Sequence, residues 1–163
     1  MQMRCGWLEM DEAVDALPVV EQIADATGAT IQAFDARYVI GPAHLERAVE
    51  LADRAIERDA SIADDRAVEI LLYAAGRRQI NRAMQMGLKE EDHPVAVVID
   101  GGDTEHAVDE IEGLFRSLID CDGSLADEAL VRDFFDIGEA ELSTGAGLYD
   151  LVLERVALLS IDR

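Results

Sequence analysis

Pro94 to Ile99 (PVAVVI) is an uninterrupted apolar run, closed by proline on one side and by Gly101-Gly102 on the other. It is short and rich in β-branched residues, so it predicts a buried strand rather than a helix. Helices dominate what surrounds it. Gly41-Pro42 opens the clearest one, in which Leu45, Ala48, Val49, Ala52, Ala55 and Ile56 repeat at helical spacing with charges opposite.

The remaining elements follow from local punctuation. Met3 to Leu8 reads as a short edge strand, and Asp11 to Ala16 is helical in composition. Pro18 suits the first turn of a second helix that runs to about Ala26 and stops at Gly28. Ala29 to Asp35 alternates as a strand. Asp64 and Asp65 cap a helix running through Tyr73, Gly76 ends or bends it, and Gln79 to Met86 continues as a further helix up to Gly87. Thr104 to Leu118 reads as one helix with Val108, Ile111, Leu114, Phe115 and Leu118 inward. Asp127 to Phe135 is a shorter helix, and a last one spans about Gly147 to Ser160. The expectation is an α+β fold in a single domain, with a small mixed sheet of three or four strands packed against several helices.

Composition bounds the setting. In 163 residues no apolar run reaches the length of a membrane span, and no signal peptide is seen at the N-terminus. Cys5 and Cys121 lie in no CxxC and near no histidine at ligand spacing, which points to two structural thiols in a cytoplasmic protein. The net charge is −21, spread over most helices, and the fourteen basic residues include a single lysine, Lys89. Such diffuse charge strains a compact fold in dilute buffer but is screened at molar salt. It reads as adaptation to a salty cytoplasm and says little about function.

No motif for catalysis, metal or cofactor stands out. The turn Ile99-Asp100-Gly101-Gly102-Asp103-Thr104 has phosphate-repelling aspartates and neither Rossmann nor P-loop spacing, so it reads as a tight turn with a helix cap. Asp120-Cys121-Asp122-Gly123-Ser124 lacks the glycine and glutamate positions of a calcium loop. His44, His93 and His106 fall in separate elements and read as surface or packing residues. A carboxylate- or metal-dependent hydrolase is therefore disfavoured.

Two binding signals remain. Ile70 to Lys89 holds Arg77, Arg78, Arg82 and Lys89 and no acid. On a continuous helix Arg78, Arg82, Gln85 and Lys89 share one face. Charge alone leaves two readings open: a contact for phosphate or a nucleic-acid end, or neutralisation of neighbouring acidic helices. The second signal is the last helix, where Leu148, Leu151, Val152, Leu153, Val156, Ala157, Leu158 and Leu159 wrap around more than one face. Such a helix is either central to the fold or shares its second face with a partner.

Three segments carry a family resemblance: Ala33-Phe34-Asp35-Ala36-Arg37 leading to His44-Leu45-Glu46-Arg47-Ala48, Glu69 to Gly76 (EILLYAAG) with Arg78-Gln79-Ile80 and Ala83, and Leu153 to Leu159 (LERVALL). The chain resembles the PRPK-binding (TPRKB) family, the small accessory subunit of the KEOPS complex, in an archaeal, halophilic form. The likeness runs from about Thr30 to the C-terminus, and the EILLYAAG block with its RQI is its most specific part. The resemblance implies a non-catalytic regulatory subunit, without cofactor or metal, that docks on the KEOPS kinase/ATPase subunit and stimulates it. The complex attaches a threonylcarbamoyl group to the adenosine beside the tRNA anticodon, and the family binds the tRNA 3′ end. Carried over by position, Arg77, Arg78 and Arg82 become the RNA candidates, with Lys89 added on charge alone. Leu151, Leu153, Ala157 and Leu158 become candidates for the kinase contact. The other KEOPS subunits are implied as indirect partners. A free-standing RNA adaptor without a kinase partner is the alternative.

Overall fold

The computed structural model describes residues 1–161. Four strands, β1 (Gln2–Leu8), β2 (Thr30–Asp35), β3 (Val95–Asp100) and β4 (Phe115–Ile119), form one sheet in the order β2-β3-β1-β4. The helices are α1 (Leu17–Thr27), α2 (Pro42–Glu57), α3 (Arg66–Ala75), α4 (Ile80–Ala83), α5 (Thr104–Glu112), α6 (Glu128–Phe134), α7 (Glu139–Leu142) and α8 (Leu148–Ile161). The fold is α+β. The sheet is antiparallel throughout rather than mixed, because β3 lies between β1 and β2 and runs against both.

The continuous apolar run of β3 has a structural cause: both faces of the sheet are covered. On one face Ile31, Ala33, Val97 and Ile99 pack with α1 and α5. On the other, Phe34, Ala96 and Val98 pack with α2, α3, α6 and α8.

Several expectations change in detail. β1 is an inner strand, not an edge, because β4 occupies its outer side. The helix expected over 104–118 stops at Glu112; after Gly113 the chain turns and pairs as β4, with Cys5 opposite Ile119 and Trp7 opposite Ser117. Leu118 is consequently half exposed rather than inward. Asp11 to Ala16 shrinks to a 3₁₀ turn at Ala13–Ala16. Gln79 to Met86 is the single turn α4 followed by a 3₁₀ turn, Met84–Met86, pinned by buried Ala83 and Met86.

The cysteines are also corrected. Cys5 and Cys121 form a disulfide, with Cα atoms 5.4 Å apart. The β1–β4 register brings the chain back beside Cys5 two residues before Cys121, within normal bridging distance.

Buried polar groups fix the connections. The Glu69 carboxylate accepts N–H bonds from Ile62 (3.0 Å) and Ala63 (2.8 Å), tying down the approach to α3. His44, fully buried, accepts from the Ile40 N–H at Nδ1 (3.2 Å) and holds Nε2 2.7 Å from the Ala74 carbonyl. With Nδ1 accepting, Nε2 must be the protonated nitrogen, so the neutral ring bridges the start of α2 and the end of α3. Burial, only partly offset by the Ala74 contact, pushes its pKa down to about 4. The Gly101-Gly102 turn is jammed against α1: a Cβ on Gly102 (φ +53°) would lie 2.4 Å from the Thr27 carbonyl oxygen. The adjacent Asp103 carboxylate caps α5 by accepting from the His106 N–H at 3.3 Å. No helix among the described residues is long and apolar enough to cross a membrane.

Candidate nucleic-acid and kinase-docking surface

α3 ends at Gly76, whose left-handed φ of 62° lets the chain reverse; the Arg77 N–H returns to the Leu72 carbonyl at 3.1 Å. The turn sits directly on α8, since a Cβ on Gly76 would lie 3.0 Å from the Arg155 carbonyl oxygen. The specific EILLYAAG segment thus serves two purposes. Its apolar residues fill the core, and its end delivers the arginines to the surface beside α8.

The four basic candidates then separate. Arg77 donates to the Phe134 carbonyl, lies 4.9 Å from the centre of that residue's ring and approaches Asp136 at 3.7 Å. Arg155 grips the same loop from α8, donating to the carbonyls of Phe135 (3.1 Å) and Asp136 (3.2 Å) and to Glu141 at 2.6 Å. Arg77 is a clasp for the loop after α6. Lys89 also works inside the fold: Nζ donates to Asp35 (2.9 Å) and to the Gly87 carbonyl (3.2 Å), and sits 4.7 Å from the centre of the Tyr38 ring. Burial alone would raise the Asp35 carboxyl. Hydrogen bonds from Arg37 and Lys89, with the charge of Lys89, hold it below the usual range instead.

Arg78 and Arg82 remain on the outside, both exposed. The single helical face expected for Arg78, Arg82, Gln85 and Lys89 does not exist, because α4 begins only at Ile80 and Gly87 breaks the chain before Lys89. Arg82 makes no ion pair among the described residues. It is flanked by two apolar side chains in the open, Ile80 (47% exposed) and Met84 (57%). Helical spacing puts Ile80, Ala83, Met84 and Gly87 on one apolar face, yet of these only Ala83 is buried.

α8 presents a similar division. Leu151, Val152, Val156 and Leu159 are buried against the core, so Leu151 is spent on the fold rather than left for a partner. Leu153 and Ala157 are half-buried, and Leu158 is 44% exposed. Ile161, beyond the segment expected to be helical, extends the open apolar side by one turn. α8 packs on α2 and α3.

The two surfaces meet. Gly76, Arg78, Phe135, Arg155, Leu158 and Leu159 line one open cleft of about 300 Å³. Among the described residues no cluster of three or more His, Cys, Asp or Glu is placed to hold a metal ion.

The model of the kinase-binding protein CGI-121 family matches residues 14–160. The chain belongs to that family. No curated protein matches it. The CGI-121 match spans α1 to α8 and takes in both the arginine-bearing turn after α3 and the open side of α8. Kinase binding is therefore the family's described property, and a regulatory role fits it.

Proposed function

We propose that this CGI-121 family member is the non-catalytic accessory subunit of a KEOPS complex, binding and stimulating the kinase/ATPase subunit and helping to hold tRNA by its 3′ end for threonylcarbamoyl-adenosine formation. The observation that carries the reading is the open apolar side of α8, Leu158 and Ile161 flanked by Leu153 and Ala157, in a chain whose family is described as kinase-binding. An unpartnered apolar helix side at the end of a folded domain fits docking on another protein.

The RNA part of the proposal rests on Arg78 and Arg82 with Ile80 and Met84. Counterion release contributes little at high salt, so a single-stranded end has to be held by hydrogen bonds and by contacts to the faces of its bases. Guanidinium groups alternating with exposed apolar side chains supply both. Arg77 and Lys89 support this surface from within rather than touching RNA.

Direct binding measurements with tRNA test this. Arg82→Glu is expected to weaken binding by about tenfold or more, while Arg58→Glu, an exposed cation elsewhere, changes it little. A tRNA trimmed of its unpaired 3′ nucleotides should bind the native chain as weakly as intact tRNA binds the Arg82 variant. Equal losses for Arg58→Glu and Arg82→Glu would reduce the RNA contact to non-specific charge.

A further inference from the structure

Lys89 stands apart from the other thirteen basic residues, all of them arginines. Its ammonium has three N–H groups, and three oxygens meet it: Asp35 Oδ2 at 2.9 Å, the Gly87 carbonyl at 3.2 Å and the Gln85 carbonyl. The centre of the Tyr38 ring lies 4.7 Å away. A guanidinium is a flat fork suited to paired acceptors, whereas an ammonium is a compact point charge. Three oxygens converging on one nitrogen fit the second shape.

What this cradle holds is the turn offered to RNA. α4 is a single turn, followed at once by the 3₁₀ turn Met84–Met86, and neither has a side-chain N-cap. Helices this short are marginal on their own. Buried Ala83 and Met86 hold the turn from below. Its far end, at the carbonyls of 85 and 87, is closed by Lys89, as a cation closes a helix C-terminus. The same ammonium ties that end to Asp35, which is fully buried at the end of β2 and is also bound by Arg37 at 2.7 Å. Exposed Ile80, Arg82 and Met84 ride on this turn.

We propose that Lys89 is a positioning residue for the RNA surface. Its ammonium is the tethered occupant of a site for a small monovalent cation, made by Asp35 Oδ2 and the carbonyls of Gln85 and Gly87, and it locks the turn that presents Arg82. The inference rests on RNA binding at Arg82, Ile80 and Met84. It adds that the lock is ionic and replaceable. Once the side chain is cut back, a free ammonium ion enters the cradle, whereas tetramethylammonium, with no N–H to donate, does not.

Titrations of tRNA and of the purified kinase subunit into the full chain and its variants, at one ionic strength and after a check of each thermal transition, test the assignment. Lys89→Ala is expected to weaken tRNA binding by about tenfold or more and to leave kinase affinity unchanged. Lys89→Arg, which keeps the charge, should lose about as much. Lys89→Met, which keeps the stem and fills the cradle, should lose as much again and supplies the same comparison if Lys89→Ala does not fold. Ammonium chloride in place of an equal concentration of tetramethylammonium chloride should return most of the lost affinity to Lys89→Ala, and leave Lys89→Met, Arg82→Glu and the native chain unchanged. Native tRNA affinity in Lys89→Ala and Lys89→Met, beside a loss in Arg82→Glu, overturns the inference and leaves the RNA reading standing. Native affinity in all three overturns that reading too. Full tRNA binding by Lys89→Arg would make Lys89 a plain charge contact, and parallel losses of tRNA and kinase binding would make it a general prop of the fold. Equal affinity of Lys89→Ala in the two salts would show that no free cation enters. Each of these results contradicts the proposal.

Discussion

His44 shows how a single side chain ties the fold to pH. Its neutral ring bridges Ile40 and Ala74 in a site closed to water, which lowers its pKa from 6.5 to about 4. The stabilisation is complete above the unfolded value near 6.5. Below it the unfolded chain binds a proton that the folded chain refuses, so stability falls as the pH drops towards 4. The loss is on the order of 3 kcal/mol, taking 1.36 kcal/mol per unit. Urea unfolding at pH 7 and pH 4.5 is expected to show a steeper decline for the native chain than for His44→Gln, which has no proton to gain; parallel declines would remove His44 as the cause. The histidines were legible in the sequence only as surface or packing residues. Their partners are 30 residues away for His44 and next door for His93, and spacing alone carries neither distance. Lys89 gives the same lesson in reverse. Charge singled it out, yet it folds back on Asp35, 54 residues distant in sequence.

At the level of elements, patterning was reliable where one face or a whole strand was buried. α2 and β3 lie close to their expected limits: α2 carries one apolar stripe after Gly41-Pro42, and β3 is apolar throughout between Pro94 and Gly101-Gly102. The failure at 104–118 has a definite cause: Val108, Ile111 and Phe115 fit helical spacing, but Gly113 weakens the helix and β1 needs a partner on its outer side. β4 then brings Cys121 to Cys5, a bond between residues 116 apart that no local pattern encodes. Closing a loop of that length restricts the unfolded chain, by about 2–5 kcal/mol in comparable cases. Cys121→Ser should lower stability by an amount in that range in non-reducing buffer, and reductant should lower the native chain to the same level without affecting the variant. A variant as stable as the oxidised native chain would show that the bridge does not support the fold.

Across the whole molecule, two covered sheet faces leave one helix with an uncovered apolar side. The end of α8 and the turn after α3 combine exposed Leu158 and Ile161 with Arg78. The family resemblance was legible because EILLYAAG and LERVALL are contiguous blocks. How the blocks meet was not, since the cleft joining them depends on Gly76 resting against α8. The association constant of the purified kinase subunit for the native chain and for Leu158→Glu tests docking through α8 most directly. Docking there predicts tight binding by the native chain and a loss of about tenfold to a hundredfold in the variant, whose fold and thermal transition stay native because Leu158 lies outside the core. Unchanged kinase affinity in a folded Leu158→Glu chain would contradict it.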